Sequence, residues 1–218
     1  MSQPLLNDRL TGLLTRIAFD EEFKAFMKTA SETSQPVSLA YLDIDYFLNI
    51  NQAHGHEGGD RVLETVAEIL SKQAGEDAVV ARYGGDEFVL LFPYTEREQA
   101  LLTLERIRAE IAGCVDFRGI KTQVTITGGI ASFPIDGNSE SEIMRKADQA
   151  LYRAKKIGRN SIRLAYEERM APKTSHFTLT QLERLSVLAK DEGVGEAVLL
   201  REALDDLLLK YQVNNIES

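Results

Sequence analysis

Apolar residues recur at two different spacings along the first 165 residues of the chain. In residues 15–30 the large apolar side chains return every three or four positions, which predicts an amphipathic helix. Residues 37–43 are apolar nearly throughout and predict a buried strand. By the same two patterns we predict helices at about 58–72, 96–112 and 139–156, and strands at 78–83, 86–93, 122–132 and 161–165.

Two of these apolar strands flank Gly84-Gly85, and this predicts a hairpin because glycine tolerates the positive φ of a tight turn. From residue 37 onward we predict the order β-α-α-β-β-α-β. That order is typical of the ferredoxin-like split βαβ arrangement with an extra helix, in the α/β (α+β) class. We expect one sheet that contains antiparallel strands, with its helices packed on one face.

The C-terminal part of the chain has a different pattern. Residues 167–177 contain a proline and small polar residues, and we predict a linker there. Residues 178–218 carry two apolar stripes separated by Gly193 and Gly195, which predicts a helical hairpin. Two amphipathic helices of this size cannot close a core alone. We therefore predict a first domain at 1–166 and a C-terminal dimerisation or docking module.

Charge and cysteine content narrow the class of protein. The 218 residues carry a formal net charge of −9, and an acid excess argues against a protein that mainly coats nucleic acid. One cysteine, Cys114, excludes an intramolecular disulfide and a zinc site built from clustered cysteines. Residues 1–10 do not resemble a secretory signal, and no run of 18 apolar residues occurs. We expect a cytoplasmic protein without a membrane partner.

Three groups of charged residues fall at predicted element ends. Asp43-Ile44-Asp45 closes the first buried strand, Gly84-Gly85-Asp86-Glu87 forms the hairpin turn, and Lys155, Lys156 and Arg159 end a helix. Each group alone has a common structural explanation. For example, lysines in the last turn of a helix usually interact favourably with the helix dipole. Together, carboxylates beside cations indicate a metal and phosphate site. Residues 51–60, NQAHGHEGGD, predict a glycine-rich loop at a helix start, whose N–H groups and side-chain acceptors suit a nucleobase edge.

The motifs, in this order, identify a family. Arg82-Tyr83-Gly84-Gly85-Asp86-Glu87-Phe88 resembles the signature of the GGDEF family, the diguanylate cyclases. The rest of the family pattern has counterparts in DRLTGL at 8–13, DIDYF at 43–47, GHEGGD at 55–60, ALYRAK at 150–155 and GRN at 158–160. The resemblance covers about residues 8–165 and implies the cyclase or palm sheet.

The resemblance implies a reaction in which two GTP condense to cyclic di-GMP and release two pyrophosphates. One domain holds one GTP, so two copies must face each other as a homodimer. The family's cofactor is Mg²⁺ or Mn²⁺, with two ions in each active site. A carboxylate that reads the base accepts from guanine N1–H and N2–H₂ and suits adenine poorly, which favours cyclic di-GMP as the product.

The resemblance also assigns roles, position by position. Asp43, Asp86 and the Ile44 carbonyl would bind the metal ions, and Asp86 and Glu87 would serve in catalysis. Asn51 and Asp60 would read the guanine edge. The triphosphate would be held by the main-chain N–H groups of Phe47 and Leu48 and by the side chains of Lys155 and Arg159.

Two departures from the family pattern bear on function. Leu48 stands where the family usually has lysine, so one cation near the phosphates is lost. The product-inhibition motif RxxD is replaced by Gly75-Glu76-Asp77-Ala78, and we therefore predict no inhibitory product site.

Two alternatives remain open from the sequence. The first is a catalytically weak regulatory protein that binds GTP or cyclic di-GMP, which the loss of a cation at Leu48 would favour. The second is a DNA-binding regulator, because the C-terminal pair weakly resembles ribbon-helix-helix proteins. Residues 171–218 hold five Lys or Arg against eight Asp or Glu, and such an acidic module is a poor DNA binder.

Overall fold

The computed structural model describes residues 6–165, 175–191 and 195–211. The chain divides into two compact units, Met1–Glu168 and Arg169–Ser218. The first unit contains the elements β1 (Leu14–Thr15), α1 (Arg16–Thr33), β2 (Val37–Ile44), α2 (Phe47–Gln73), β3 (Val79–Gly84), β4 (Glu87–Pro93), α3 (Arg97–Gly113), β5 (Ile126–Phe133), α4 (Glu140–Ile157) and β6 (Ile162–Leu164). The second contains α5 (Leu179–Asp191) and α6 (Glu196–Lys210).

One six-stranded sheet organises the first unit, in the order β1-β3-β4-β2-β5-β6. Strand β2 lies in the middle and pairs antiparallel with both β4 and β5. Strands β3 and β4 form the predicted hairpin, whose register shifts between Arg82 and Gly84. The edge strands β1 and β6 pair parallel with their neighbours. The predicted mixed α/β class and the hairpin are confirmed.

Helices cover both faces of this sheet, so the expectation that they pack on one face was wrong. Helices α2 and α3 share a core with alternate residues of the strands, including Leu42 and Leu90. Helices α1 and α4 share a second core with the intervening residues, including Leu39 and Leu91. Every residue of β2 and β5 is buried, as expected for strands that are covered on both sides.

Helix α2 corrects two further expectations. It begins at Phe47, so the segment 51–60 is helical rather than a loop, except at Gly55 (φ 71°, ψ 173°). The observed order from residue 37 is β-α-β-β-α-β-α-β, in which α2 is one helix with a break. The glycines suggested a loop, but Gly58 and Gly59 are buried helical residues, and only Gly55 has the left-handed φ that glycine permits.

Helix α4 lies directly against β5, which fixes the position of its last turn. A Cβ atom on Gly129 would stand 2.0 Å from the Ala147 carbonyl oxygen, so only glycine allows this approach. The helix begins at a cap in which the Ser139 hydroxyl accepts from the Glu142 N–H. Its last turn, with Lys155, therefore lies at the same edge of the sheet as the end of β2.

The second unit is a pair of helices with exposed apolar side chains. The predicted capping box is present, because the Gln181 N–H donates to the Thr178 hydroxyl (3.2 Å) and the Thr178 N–H to the Gln181 side chain (2.9 Å). Residues 167–174 of the predicted linker at 167–177 lie outside the described residues, as does Gly193. Across the described ranges, no helix is both long and apolar enough to cross a membrane.

Candidate active site

The signature turn and the end of β2 meet at one edge of the sheet. Asp43 and Glu87 are register partners on adjacent antiparallel strands, so their side chains project from the same face. The Ile44 N–H donates to the Asp86 carbonyl oxygen (3.2 Å) and ties the turn to β2. The structure thus brings together the three acidic residues and the carbonyl-bearing Ile44 that the sequence assigned to metal and catalysis.

Asp43 is a buried carboxylate beside a cation. Its side chain forms an ion pair with the Lys155 ammonium, whose Nζ lies 2.8 Å from Asp43 Oδ2. Burial raises the pKa of Asp43, the Lys155 ammonium opposes that rise, and the carboxylates of Asp86 and Asp45 add to it. The local excess of negative charge is what a bound divalent cation would neutralise.

Asp45 holds the edge together, a role that the sequence did not reveal. Its carboxylate accepts from the Thr125 and Thr127 hydroxyls (both 2.7 Å) and from the Asn160 N–H (3.0 Å). These bonds join the end of β2, the start of β5 and the turn after α4. The only signal in the sequence was the second carboxylate of the DID motif.

Glu87 is oriented by a tyrosine of the neighbouring strand. The Tyr41 hydroxyl donates to Glu87 Oε2 at 3.0 Å. Burial, and then the Glu87 carboxylate, raise the pKa of Tyr41, so the tyrosine stays a donor at neutral pH. Tyr41 lies two residues before Asp43 on β2, on the same face of the sheet.

The opening motif supports the signature turn. The Arg82 guanidinium donates twice to the Gly85 carbonyl oxygen (3.0 and 2.8 Å) and also to Asp8 (3.2 Å). Burial alone would raise the pKa of Asp8, but bonds from Thr11 and Arg82 outweigh it and lower that pKa. Residues 8–13 are therefore joined to the turn in space, which explains why the two motifs occur together in this chain.

The N-terminus of α2 lies beside these acids. Phe47 and Leu48 are its first residues, and the first N–H groups of an α-helix have no partner within the helix, so they can bind an anion. The Leu48 side chain is 68% exposed. The break at Gly55 separates two halves of α2, and the Asn51 side chain lies over Gly59, next to the exposed Asp60.

The cations in the last turn of α4 and just after the helix reach the site to different extents. Lys155 reaches Asp43, and Arg159 lies near Asp45, with Nε 3.9 Å from Oδ1. Lys156, by contrast, stands 5.3 Å from the Tyr152 ring centroid, on its own helix. Lys155 and Arg159, the two residues predicted to hold phosphate, therefore lie among the carboxylates.

The donor set fits a divalent ion that is completed by phosphate. Among the described residues, no three His, Cys, Asp or Glu side chains converge as a ready cage. Asp43, Asp86 and the Ile44 carbonyl offer oxygen ligands. Mg²⁺ characteristically binds one or two carboxylates together with substrate phosphates and water, so this partial set suits it.

The family is shown by comparison with known proteins. The family model described as diguanylate cyclase, GGDEF domain, matches residues 5–161, and the chain belongs to this family. The chain is 41% identical over 165 residues to diguanylate cyclase DgcP of Pseudomonas aeruginosa, covering 75% of this chain and 24% of that protein. It is 34% identical over 169 residues to diguanylate cyclase A of Treponema denticola, covering 74% and 46%.

Solved structures agree with the fold. The GGDEF domain of DgcB from Caulobacter crescentus, in complex with c-di-GMP, matches with a TM-score of 0.69 and 34% identity, covering 76% of this chain and 98% of that one. The active GGEEF domain of a Vibrio cholerae diguanylate cyclase matches with 0.68 and 31%, covering 72% and 99%. The chain spans between a quarter and a half of the length of the two curated relatives named above. The resemblance to the GGDEF family is confirmed.

Proposed function

We propose that this chain is a diguanylate cyclase that condenses two GTP into cyclic di-GMP and releases two pyrophosphates. The observation that carries the proposal is the buried Asp43 carboxylate, which is paired with the Lys155 ammonium and whose pKa the Asp86 carboxylate raises, within a GGDEF domain. A carboxylate and a cation at this spacing suit a metal-bound triphosphate, since each neutralises one component of the complex.

Each site residue has a task in this proposal. Asp43, Asp86 and the Ile44 carbonyl would hold the divalent ions, which when bound would lower the pKa of the attacking hydroxyl and neutralise phosphate charge. Lys155, Arg159 and the N–H groups of Phe47 and Leu48 hold the triphosphate. Asn51 and Asp60 face the guanine edge from the two halves of α2. These assignments follow the family pattern and the positions described above.

The chemistry is a displacement at phosphorus. The 3′-hydroxyl oxygen of one GTP forms a bond to the α-phosphorus of the other, the bond to pyrophosphate breaks, and the hydroxyl proton passes to a base. Glu87, oriented by Tyr41, is our candidate for that base. The second ring-closing bond forms in the same way with the roles of the nucleotides exchanged.

Product analysis tests the proposal. The purified chain is incubated with GTP and Mg²⁺ or Mn²⁺, pyrophosphate release is followed, and the nucleotide product is identified by mass. We expect cyclic di-GMP from the wild type, none from Asp86→Asn, and a wild-type rate from Asp77→Asn, an exposed aspartate outside the site. GTP binding without product from either ion would favour the regulatory alternative and overturn the cyclase.

The second copy required by the reaction would be held by the C-terminal pair, with 1–166 as the catalytic domain and 178–218 as a dimerisation module. The described residues of α5 and α6 expose large apolar side chains, among them Leu179, Val187, Leu204 and Leu207, and Tyr211 just after α6 is exposed as well. A helix pair that leaves so much apolar surface in water gains free energy by pairing with a copy of itself. DNA binding is not part of this proposal.

Deletion of residues 170–218 tests this module. The family match ends at residue 161, so the catalytic domain should fold without them. We expect a monomer with a much lower rate per chain at micromolar protein, and a wild-type rate from the deletion variant would exclude the role.

In the same assay, initial rates should be insensitive to added cyclic di-GMP, because Gly75 and Ala78 replace the charged residues of the product site. We place the reaction in the cytoplasm, where GTP is supplied.

A further inference from the structure

Tyr46 has no task in the proposed reaction, although it lies between Asp45 and the first N–H groups of α2. Its side chain is 60% exposed and its backbone is left-handed, with φ 55°. That conformation is uncommon for a residue with a bulky side chain, and such strained residues concentrate at functional sites. The contacts of its side chain therefore bear on what it does.

Those contacts converge on Arg159. The guanidinium carbon of Arg159 lies 4.6 Å from the centroid of the Tyr46 ring, and its NH1 group donates to the Tyr46 hydroxyl at 3.4 Å. Its Nε lies 3.9 Å from Asp45 Oδ1. The backbone is anchored as well, because the neighbouring Asn160 N–H donates to the other oxygen of Asp45 at 3.0 Å.

We infer that Tyr46 and Asp45 form a clasp that holds the Arg159 guanidinium beside the N-terminus of α2, and that Tyr46 is a positioning residue for phosphate binding. The inference rests on the proposed function, which gives Arg159 its phosphate. A guanidinium stacked on a ring keeps part of its planar edge available for a phosphate oxygen. The clasp limits the orientations of a long side chain before the nucleotide arrives.

The uncharged Leu48 increases the importance of this orientation. No lysine at position 48 shares the triphosphate charge, and the Lys155 ammonium is paired with Asp43. Arg159 therefore carries a larger part of the attraction for phosphate. The sequence offered no signal for Tyr46, because it occupies the unspecified position of the DIDxF motif.

The test measures binding rather than turnover. Asn tolerates a left-handed backbone, so Tyr46→Asn removes the ring without adding strain, and Tyr46→Phe removes only the hydroxyl. Tyr94→Asn is the matched control, because Tyr94 is 57% exposed, has φ 53° and follows β4 at the opposite end of that strand from Glu87. The probes are pyrophosphate, guanosine and a GTP analogue with a methylene between the α- and β-phosphorus, titrated calorimetrically into the full chain with Mg²⁺.

We expect Tyr46→Asn to weaken pyrophosphate and the analogue about fivefold, as a cation–π contact predicts, and Tyr46→Phe to weaken them less. Guanosine should bind equally to all variants, and Tyr94→Asn should match the wild type. In an Arg159→Ala background, Tyr46→Asn should have no further effect, because Tyr46 acts through that side chain.

Three results would overturn the clasp: wild-type affinities in Tyr46→Asn, equal losses for guanosine and pyrophosphate, or an undiminished loss in the Arg159→Ala background. Each of them leaves the cyclase standing as long as the wild type binds the analogue. A wild type that binds neither the analogue nor pyrophosphate would overturn the proposed function, and the clasp with it.

Discussion

At the scale of single residues, Asp43 and Asp45 have opposite effects on the stability of the folded chain. Asp43 is buried next to other carboxylates, and its raised pKa means that the charged form is disfavoured in the folded chain. When the pKa of a carboxyl is higher in the folded chain than its unfolded value of about 3.9, the folded state loses stability as pH rises from the unfolded to the folded pKa. The loss is complete above the folded pKa. Asp45, in contrast, accepts three hydrogen bonds and stabilises the edge.

Asp43→Asn and Asp45→Asn should therefore separate function from stability. At neutral pH without added metal, Asp43→Asn should have an unchanged or higher Tm and cyclic di-GMP formation reduced about a hundredfold or more. Asp45→Asn should lower the free energy of unfolding by about 1.5–3 kcal/mol, because its amide cannot accept the same bonds. Calorimetry and product assays on both variants check this. A strongly destabilised Asp43→Asn would show that the Lys155 pair outweighs the burial of the carboxylate.

Leu48 tests the missing cation directly. Leu48→Lys should lower the KM for GTP about threefold to tenfold, because an ammonium near the triphosphate adds a charge-assisted contact. The Tm should fall slightly, since a cation at a helix N-terminus opposes the dipole by about 0.3–1 kcal/mol. Leu102→Lys is the control, because Leu102 is similarly exposed on α3. An unchanged KM would mean that position 48 does not reach the phosphates.

At the scale of elements, the break in α2 is the feature that the sequence described least well. The glycines predicted a loop, whereas Gly58 and Gly59 lie inside the helix at positions where neighbouring side chains leave no room for a Cβ atom. A Cβ atom on Gly59 would stand 1.9 Å from Asn51 Oδ1. Glycine residues that serve packing and glycine residues that serve a turn look alike in a sequence, and only the tertiary contacts distinguish them.

Gly59→Ala should displace the Asn51 side chain and leave the backbone in place, because the clash falls on the far end of a rotatable side chain. We expect the KM for GTP to rise about tenfold and the preference for GTP over ATP to fall, while the Tm changes by a few degrees at most. Steady-state kinetics with both nucleotides measure this. Gly113→Ala, where a Cβ meets open space, should leave the KM for GTP and the preference for GTP over ATP unchanged. A change in kcat without a change in the KM for GTP would contradict the base-reading role of Asn51.

The sheet was more predictable than its coverage. The short apolar runs identified β2, β3, β4 and β5, and the paired glycines identified the hairpin. The expectation of one covered face failed because a nearly all-apolar run such as residues 37–42 indicates a strand buried on both faces, and the order of the elements alone does not show this. The motifs indicated which acids and cations would lie near one another, and their roles stay predictions. The supporting contacts of Tyr41, Asp8 and Asp45 depend on side-chain geometry that no spacing encodes.

At the scale of the whole molecule, the proposed reaction requires two sites to meet. Each GGDEF domain in the proposal supplies one GTP, so activity belongs to a pair of chains rather than to one. The acidic C-terminal unit, with its exposed leucines, is the surface that we propose for pairing. Its helices were predicted from their apolar stripes. The dimerisation or docking role stays a prediction, because an apolar stripe does not identify its partner.

The most direct test of the account measures cyclic di-GMP formation per chain across a dilution series, with the dimer fraction determined in the same samples by mass photometry. We expect a rate that is proportional to the dimer fraction and approaches zero in the monomer. A rate per chain that stays constant while the dimer dissociates, or a dimer that binds GTP with Mg²⁺ and forms no cyclic di-GMP, would contradict it.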